Sequence, residues 1–124
     1  MAKKKILLVD DHKIMRTMVR TMLGDANYEF VEAENGRQGL DVLLNDKSVS
    51  LILCDYNMPE MDGGALLVER NKIAEYETVP FVMVTSSRSE EVIAKCNQMG
   101  VTGWLTKPFR KDSLAEMVSN VLRS

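Results

Sequence analysis

A chain of 124 residues has the size of one domain, and residues 1–124 are expected to form a single one. The 45% apolar content is ordinary for a globular protein, and a net charge of -2 gives no electrostatic basis for binding nucleic acid or an anionic membrane. No apolar stretch approaches the roughly 18 residues of a membrane span, and a core strand entered by Ile6 leaves no room for a signal peptide. A cytoplasmic location is expected. It agrees with Cys54 and Cys96, which lie in a strand pattern and a helix pattern with no CxxC spacing and read as buried core residues.

The first apolar run, Ile6-Leu7-Leu8-Val9, predicts a strand over residues 5–10 that stops on Asp10-Asp11. Lys3-Lys4-Lys5 before it reads as a solvated strand entry. A helix is predicted over 13–23, with Gly24 as its C-cap. There Ile14, Met18 and Met22 repeat at helical spacing, as do Met15, Val19 and Leu23, and this wide apolar face is expected to be core. A second strand over 30–33 leads through the Asn35-Gly36 turn to a helix carrying Leu40, Val42, Leu43 and Leu44. The third strand, 51–55, stops on Asp55. A loop rich in breakers, 56–64, precedes a helix over 65–74. The fourth strand, 79–84, is entered through Pro80 and stops on Thr85-Ser86-Ser87. Ser89 is a good N-cap for the next helix, with Val92, Ile93 and Met99 on its apolar side. Gly100 or Gly103 ends the turn that follows. The fifth strand, 103–106, stops on Lys107-Pro108, a candidate cis bond. The final helix, capped by Asp112 or Ser113, carries Leu114, Met117, Val118, Val121 and Leu122. Five strand–helix units predict an α/β fold. It would be a doubly wound, five-stranded parallel sheet with helices on both faces and right-handed crossovers.

In such a sheet, ligands bind beyond the carboxyl ends of the strands. Here those ends offer two acids, one acid, a hydroxyl and an amine. If the first and third strands are neighbours, Asp10, Asp11 and Asp55 converge and repel one another. A hard divalent cation removes that repulsion, and Mg2+ is favoured because it takes few protein ligands, all oxygen, and completes its octahedron with water or phosphate. Such binding should also stabilise the fold. Lys107 suits a phosphoryl oxygen as a mobile point charge. Seen alone, Asp10-Asp11 would read as a helix N-cap pair and Lys107 as a surface lysine. The combination with Asp55 and Thr85 makes the ligand reading much the stronger.

The motifs together resemble the receiver domains of response regulators, most closely the stand-alone chemotaxis type with its flavodoxin/CheY-like fold. The matching pieces are Leu8-Val9-Asp10-Asp11, the run from Cys54 through Asp55 to Gly63, Val82-Met83-Val84-Thr85-Ser86 and Lys107-Pro108-Phe109. Met15-Arg16-Thr17-Met18-Val19-Arg20 also resembles the first helix of that type. The similarity runs the length of the chain, in order.

The resemblance implies that Asp55 is the phosphoacceptor, charged by a histidine kinase or by a small donor such as acetyl phosphate. It implies that Asp11 and Asp55 bind Mg2+ directly with the backbone carbonyl of Asn57, and that Asp10 acts through a water. Mg2+ and Lys107 would neutralise the transferring phosphoryl oxygens, and the Thr85 hydroxyl would bond one of them after transfer. The chain would then be no enzyme in the ordinary sense, since it assists only its own phosphorylation and dephosphorylation. Output would pass through Thr85 to an aromatic on strand five, here Trp104 where the family usually has Tyr or Phe. The face of helix four, strand five and helix five would bind a target such as the flagellar motor switch, with Glu91, Lys95, Trp104 and Lys111 on its surface. A phosphatase is a further implied partner, and a monomer the implied state. His12 reads as a solvated neighbour of the pocket. Ser87 with Asn57 leaves water access to the acyl phosphate, which implies a short-lived phosphoryl state.

The alternative within the same chemistry is a phosphorelay shuttle that passes its phosphoryl group to a histidine phosphotransfer protein. An aspartyl-phosphate phosphohydrolase would need a second acid where Asn57 stands. A flavin-binding module would need a phosphate loop where Asp10-Asp11 would repel the phosphate.

Overall fold

Strands buried on both faces need apolar residues at successive positions, and three segments of this chain supply them. In the computed structural model, which describes residues 3–86 and 89–123, these are β1 (Lys4–Val9), β3 (Val49–Cys54) and β4 (Phe81–Thr85). The sheet is completed by β2 (Tyr28–Ala33) and β5 (Gly103–Thr106), in the order β2-β1-β3-β4-β5, and every pairing is parallel. The helices are α1 (Lys13–Leu23), α2 (Gly36–Asn45), α3 (Gly63–Arg70), α4 (Glu90–Gln98) and α5 (Lys111–Arg123). A short 3-10 turn, Ala74–Tyr76, follows α3. The doubly wound architecture expected from the sequence is the one observed.

Strand periodicity divides the core into two layers. Leu7, Val9, Ile52, Cys54, Phe81 and Met83 face one side and pack with Leu43 of α2, Leu66 and Leu67 of α3 and Cys96 of α4. Ile6, Leu8, Leu51, Leu53, Val82 and Val84 face the other and pack with Val19 and Leu23 of α1 and Leu114 and Val118 of α5. Both cysteines are buried and free.

Several boundaries differ from the sequence expectation. β2 begins at Tyr28, because Tyr28 and Glu29 pair with Lys4 and Lys5 although they sit at a half-buried sheet edge without an apolar run. β4 begins at Phe81, after Pro80, which has no N–H to give the ladder. α3 opens at Gly63 and ends at Arg70, since Asp62 rather than a later residue caps it, accepting from Ala65 N at 2.8 Å. α5 opens at Lys111, which places Asp112 in the first turn instead of at the cap. Ser89 and Gly24 hold the capping positions expected of them.

The broad apolar face assigned to α1 is only half core. Val19 and Leu23 are buried, but Ile14 is 78% exposed and Met18 40% exposed. A helix on a sheet presents one stripe to it, and the Ile14-Met18 stripe is rotated off that contact toward solvent. Arg16, a polar residue, takes a buried place instead.

Two features make predictions about stability. A Cβ on Gly63 would lie 2.5 Å from the Asp55 carbonyl oxygen and 2.9 Å from Tyr56 Cα, both backbone atoms. Gly63→Ala should therefore cost about 1–3 kcal/mol in urea unfolding. At the opposite edge of the sheet, Asp46 Oδ2 accepts from Lys5 Nζ at 2.7 Å and Oδ1 accepts from Ser48 N at 2.9 Å. The Lys5 hydrogen bond, then those from Ser48, hold the Asp46 carboxyl down at about 2. A depressed acid contributes stability above its unfolded value, and that contribution disappears as pH falls through the folded value. Asp46→Asn should lower the urea midpoint at pH 7, and the gap from the unaltered protein should close as pH falls from about 4 toward 2.

Candidate functional site

β1 and β3 are neighbours in parallel register, with Val9 opposite Cys54. The next residue of each strand is an acid, so Asp10 and Asp55 leave the sheet side by side. Both backbones are fixed: Asp10 N donates to Ala33 O at 3.1 Å and Asp55 N to Val9 O at 2.9 Å. Each residue is only 6% exposed. Buried carboxylates need donors or a counterion. Asp10 Oδ1 accepts from His12 N at 2.9 Å, and Asn57 N approaches Asp55 Oδ1 at 3.4 Å. Lys107 Nζ lies between the two acids, 2.9 Å from Asp10 Oδ2 and 3.4 Å from Asp55 Oδ2.

Asp11 turns outward. Its Oδ1 lies 3.2 Å from Nδ1 of His12, a side chain that is mostly exposed. One ligand atom each from Asp10, Asp11, His12 and Asp55 lies within 4.8 Å of the others. Three carboxylates against one ammonium leave an excess of negative charge, and a set of hard oxygens fits a hard divalent cation such as Mg2+. Among these residues His12 adds a nitrogen at the rim. Asn57 is exposed beside the cluster.

The remaining expected residues are placed by register. Thr85 ends β4 fully buried, opposite Thr106 of β5, and its carbonyl accepts from Lys107 N at 2.9 Å. The Lys107-Pro108 peptide is cis. Trp104 pairs with Met83 and packs, half-buried, against the core layer that Met83 shares with Cys96. Its indole Nε1 is buried without a hydrogen-bond partner among the described residues. Glu91, Lys95 and Lys111 are exposed. Ser87 lies outside the described residues.

Two contacts were not legible as functional. Cys54 Sγ lies 3.1 Å from the Asp55 carbonyl oxygen; burial first, then the Asp55 charge, pushes that thiol well up, so it stays protonated and donates. Arg16 Nη1 donates to the Asp10 carbonyl at 2.6 Å, although its place inside the first-helix motif carried no such signal.

A family model described as response regulator receiver domain matches residues 6–119. The chain is 32% identical over 117 residues to the two-component response regulator ORR3 of Oryza sativa, covering 94% of this chain and 89% of that protein. The structure of the chemotaxis protein CheY4 of Vibrio cholerae is similar with a TM-score of 0.88 and 35% identity, over 97% of this chain and 99% of that one. The receiver domain of the sensor histidine kinase PA1611 of Pseudomonas aeruginosa, with a magnesium ion coordinated in its active-site cleft, is similar with a TM-score of 0.89 and 25% identity, over 99% and 100% of the two chains.

The geometry makes Lys107 the counterion of two buried acids. Removing one member of a buried ionic cluster leaves its partners uncompensated. In metal-free buffer Lys107→Met should cost about 2–3 kcal/mol by urea unfolding, and added Mg2+ should recover part of the loss.

Proposed function

Because the chain belongs to the response-regulator receiver family, we propose that it is a phosphoacceptor signalling protein. Asp55 is its phosphorylated side chain, and a histidine kinase is its phosphoryl source. The observation that carries this reading is the Asp55 carboxylate itself. It is buried at a strand end, bonded to Lys107 Nζ, and within 4.8 Å of ligand atoms from Asp10 and Asp11.

Asp10, Asp11 and Asp55, with the Asn57 carbonyl, would hold Mg2+, which when bound neutralises charge on the phosphoryl oxygens. In the transfer, an Asp55 oxygen attacks phosphorus, the phosphorus–nitrogen bond of the donor phosphohistidine breaks, and the imidazole leaves. Lys107 then shifts its ammonium from carboxylate to phosphoryl oxygen, a short move for a flexible side chain already in place. The Thr85 hydroxyl bonds a second phosphoryl oxygen. Because Thr85 is joined to the chain after β5 through the Lys107 N–H, its displacement bears directly on the strand that carries Trp104. The output surface in this reading is the face of α4, β5 and α5, and its target is of the kind found at a flagellar motor switch.

A second reading, a phosphorelay shuttle, has one observation in its favour. The Ile14-Met18 flank of α1 is bare apolar surface on the helix that follows Asp10-Asp11. Exposed apolar patches mark docking sites. Rapid transfer from Asp55 to an isolated histidine phosphotransfer domain would favour the shuttle over motor-type output.

Two tests address the main reading. Asp55→Asn should abolish acid-labile phosphate uptake from acetyl phosphate, while Asp62→Asn, at the α3 cap, should retain it; undiminished labelling of the Asp55 variant would overturn the assignment. Trp104 is the only tryptophan, so its emission reports one place. Beryllofluoride with Mg2+ should change that emission and reduce iodide quenching, and Thr85→Ala or Lys107→Ala should abolish the response. An indifferent Trp104 signal would assign output to another route.

A further inference from the structure

The turn between β1 and α1 carries two of the three acids, yet Asp11 has little holding it. Its side chain contacts only the exposed His12 ring among the hydrogen bonds and ion pairs of the described residues. A single residue grips the backbone on either side of it. Arg16 Nη1 donates to the Asp10 carbonyl at 2.6 Å, and Arg16 N donates to the His12 carbonyl at 3.2 Å. Asp11 is therefore the middle of a three-residue segment pinned at both ends by Arg16.

Arg16 is itself fixed. Its side chain is about nine-tenths buried, and its Nε donates to Glu32 Oε1 at 2.8 Å across to β2. The other Glu32 oxygen accepts from Arg20 Nη1 at 2.8 Å, which is one helical turn further along α1. The planar guanidinium can serve a carbonyl and a carboxylate at once, in a fixed geometry that a lysine cannot copy. Asp25, which accepts from Arg20 Nη2 at 3.0 Å, joins Glu32 in balancing the two guanidiniums, so the clamp is close to neutral and does not repel an incoming cation.

We propose that Arg16, anchored by Glu32, is the positioning residue of the cation site: it sets the β1–α1 turn so that the Asp10 and Asp11 carboxylates are held ready for Mg2+. This inference rests on the reading of the acidic cluster as an Mg2+ site. The contacts of Arg16 are the Asp10 and His12 carbonyls and the Glu32 carboxylate, so it would act through the backbone of the ligands. Groups that orient metal ligands from behind typically contribute between about tenfold and a hundredfold to affinity.

The test is Mg2+ affinity by titration calorimetry, with melting temperature measured in parallel in chelator. The paired variant Arg16→Met/Glu32→Gln removes the side-chain half of the clamp, the guanidinium bonds to the Asp10 carbonyl and Glu32, without leaving a buried charge alone. It should weaken Mg2+ binding by roughly tenfold. Arg16→Lys, which keeps the charge and loses the fork, and Glu32→Gln, which frees the guanidinium, should each weaken it by about threefold or more. A purely structural arginine would lower the melting temperature and leave affinity alone. Dissociation constants within twofold of the unaltered protein in these variants would overturn the proposal. If the paired variant does not fold, Arg16→Lys and Glu32→Gln decide it by the same criterion. Asp11→Ala separates the cation site from the clamp behind it. If Asp11→Ala abolishes Mg2+ binding and the Arg16 variants bind normally, only the clamp falls. If Asp11→Ala binds normally, or the unaltered protein does not bind, the cation site falls and the clamp with it.

Discussion

Carboxylates gathered at one edge of a sheet repel one another, and burying two of them makes the problem worse. The Lys107 ammonium answers both difficulties by lying within hydrogen-bond reach of Asp10 and Asp55 at once. The rest of the edge is arranged around that contact. β1 and β3 must be adjacent and in register for one cation to serve both acids. β5 must end with Lys107 directed back over β4, and the Lys107 N–H bond to the Thr85 carbonyl holds it there. The ammonium only part-neutralises the cluster, which leaves a standing attraction for a divalent cation and a ready donor for any anion that enters.

The scaffold under this edge is stiff where position matters. Both acids follow strands that are buried on two faces, and side chains carried by such elements are held more closely than side chains on loops. The β4–β5 side is less settled. The buried Trp104 N–H lacks a partner among the described residues, and such a group costs about 1–3 kcal/mol. Its packed position therefore rests on apolar contacts alone. In the proposed switch, the missing hydrogen bond would narrow the free-energy gap between this position and an outer one.

The parts of the fold set by burial on two faces were plain from the residues. Ile6 to Val9, Leu51 to Cys54 and Phe81 to Val84 read as strands buried on both faces, and the acids that end the first two announced the site. Where an element sits at an edge, that signal fades: Tyr28 and Glu29 belong to β2 through backbone pairing alone. Hydrophobic periodicity on α1 reported two stripes but not which one meets the sheet, so Ile14 and Met18 were placed inside when they lie outside. Arg16 was opaque for a related reason. A polar residue at a helical position reads as solvent-facing, and its burial depends on partners, Asp10 and Glu32, that only the tertiary fold brings within reach.

The Lys107–Asp10 contact joins residues 97 positions apart, and the Lys107–Asp55 contact joins residues 52 apart. Contacts of such separation are closed late, because the loop entropy must be met before they give anything back. The strand that carries the counterion is also the short outer strand of the sheet, four residues long. During synthesis, a chain emerging from the ribosome exposes Asp10, Asp11 and Asp55 well before it exposes Lys107. For that interval the three acids at the sheet edge are without the Lys107 counterion.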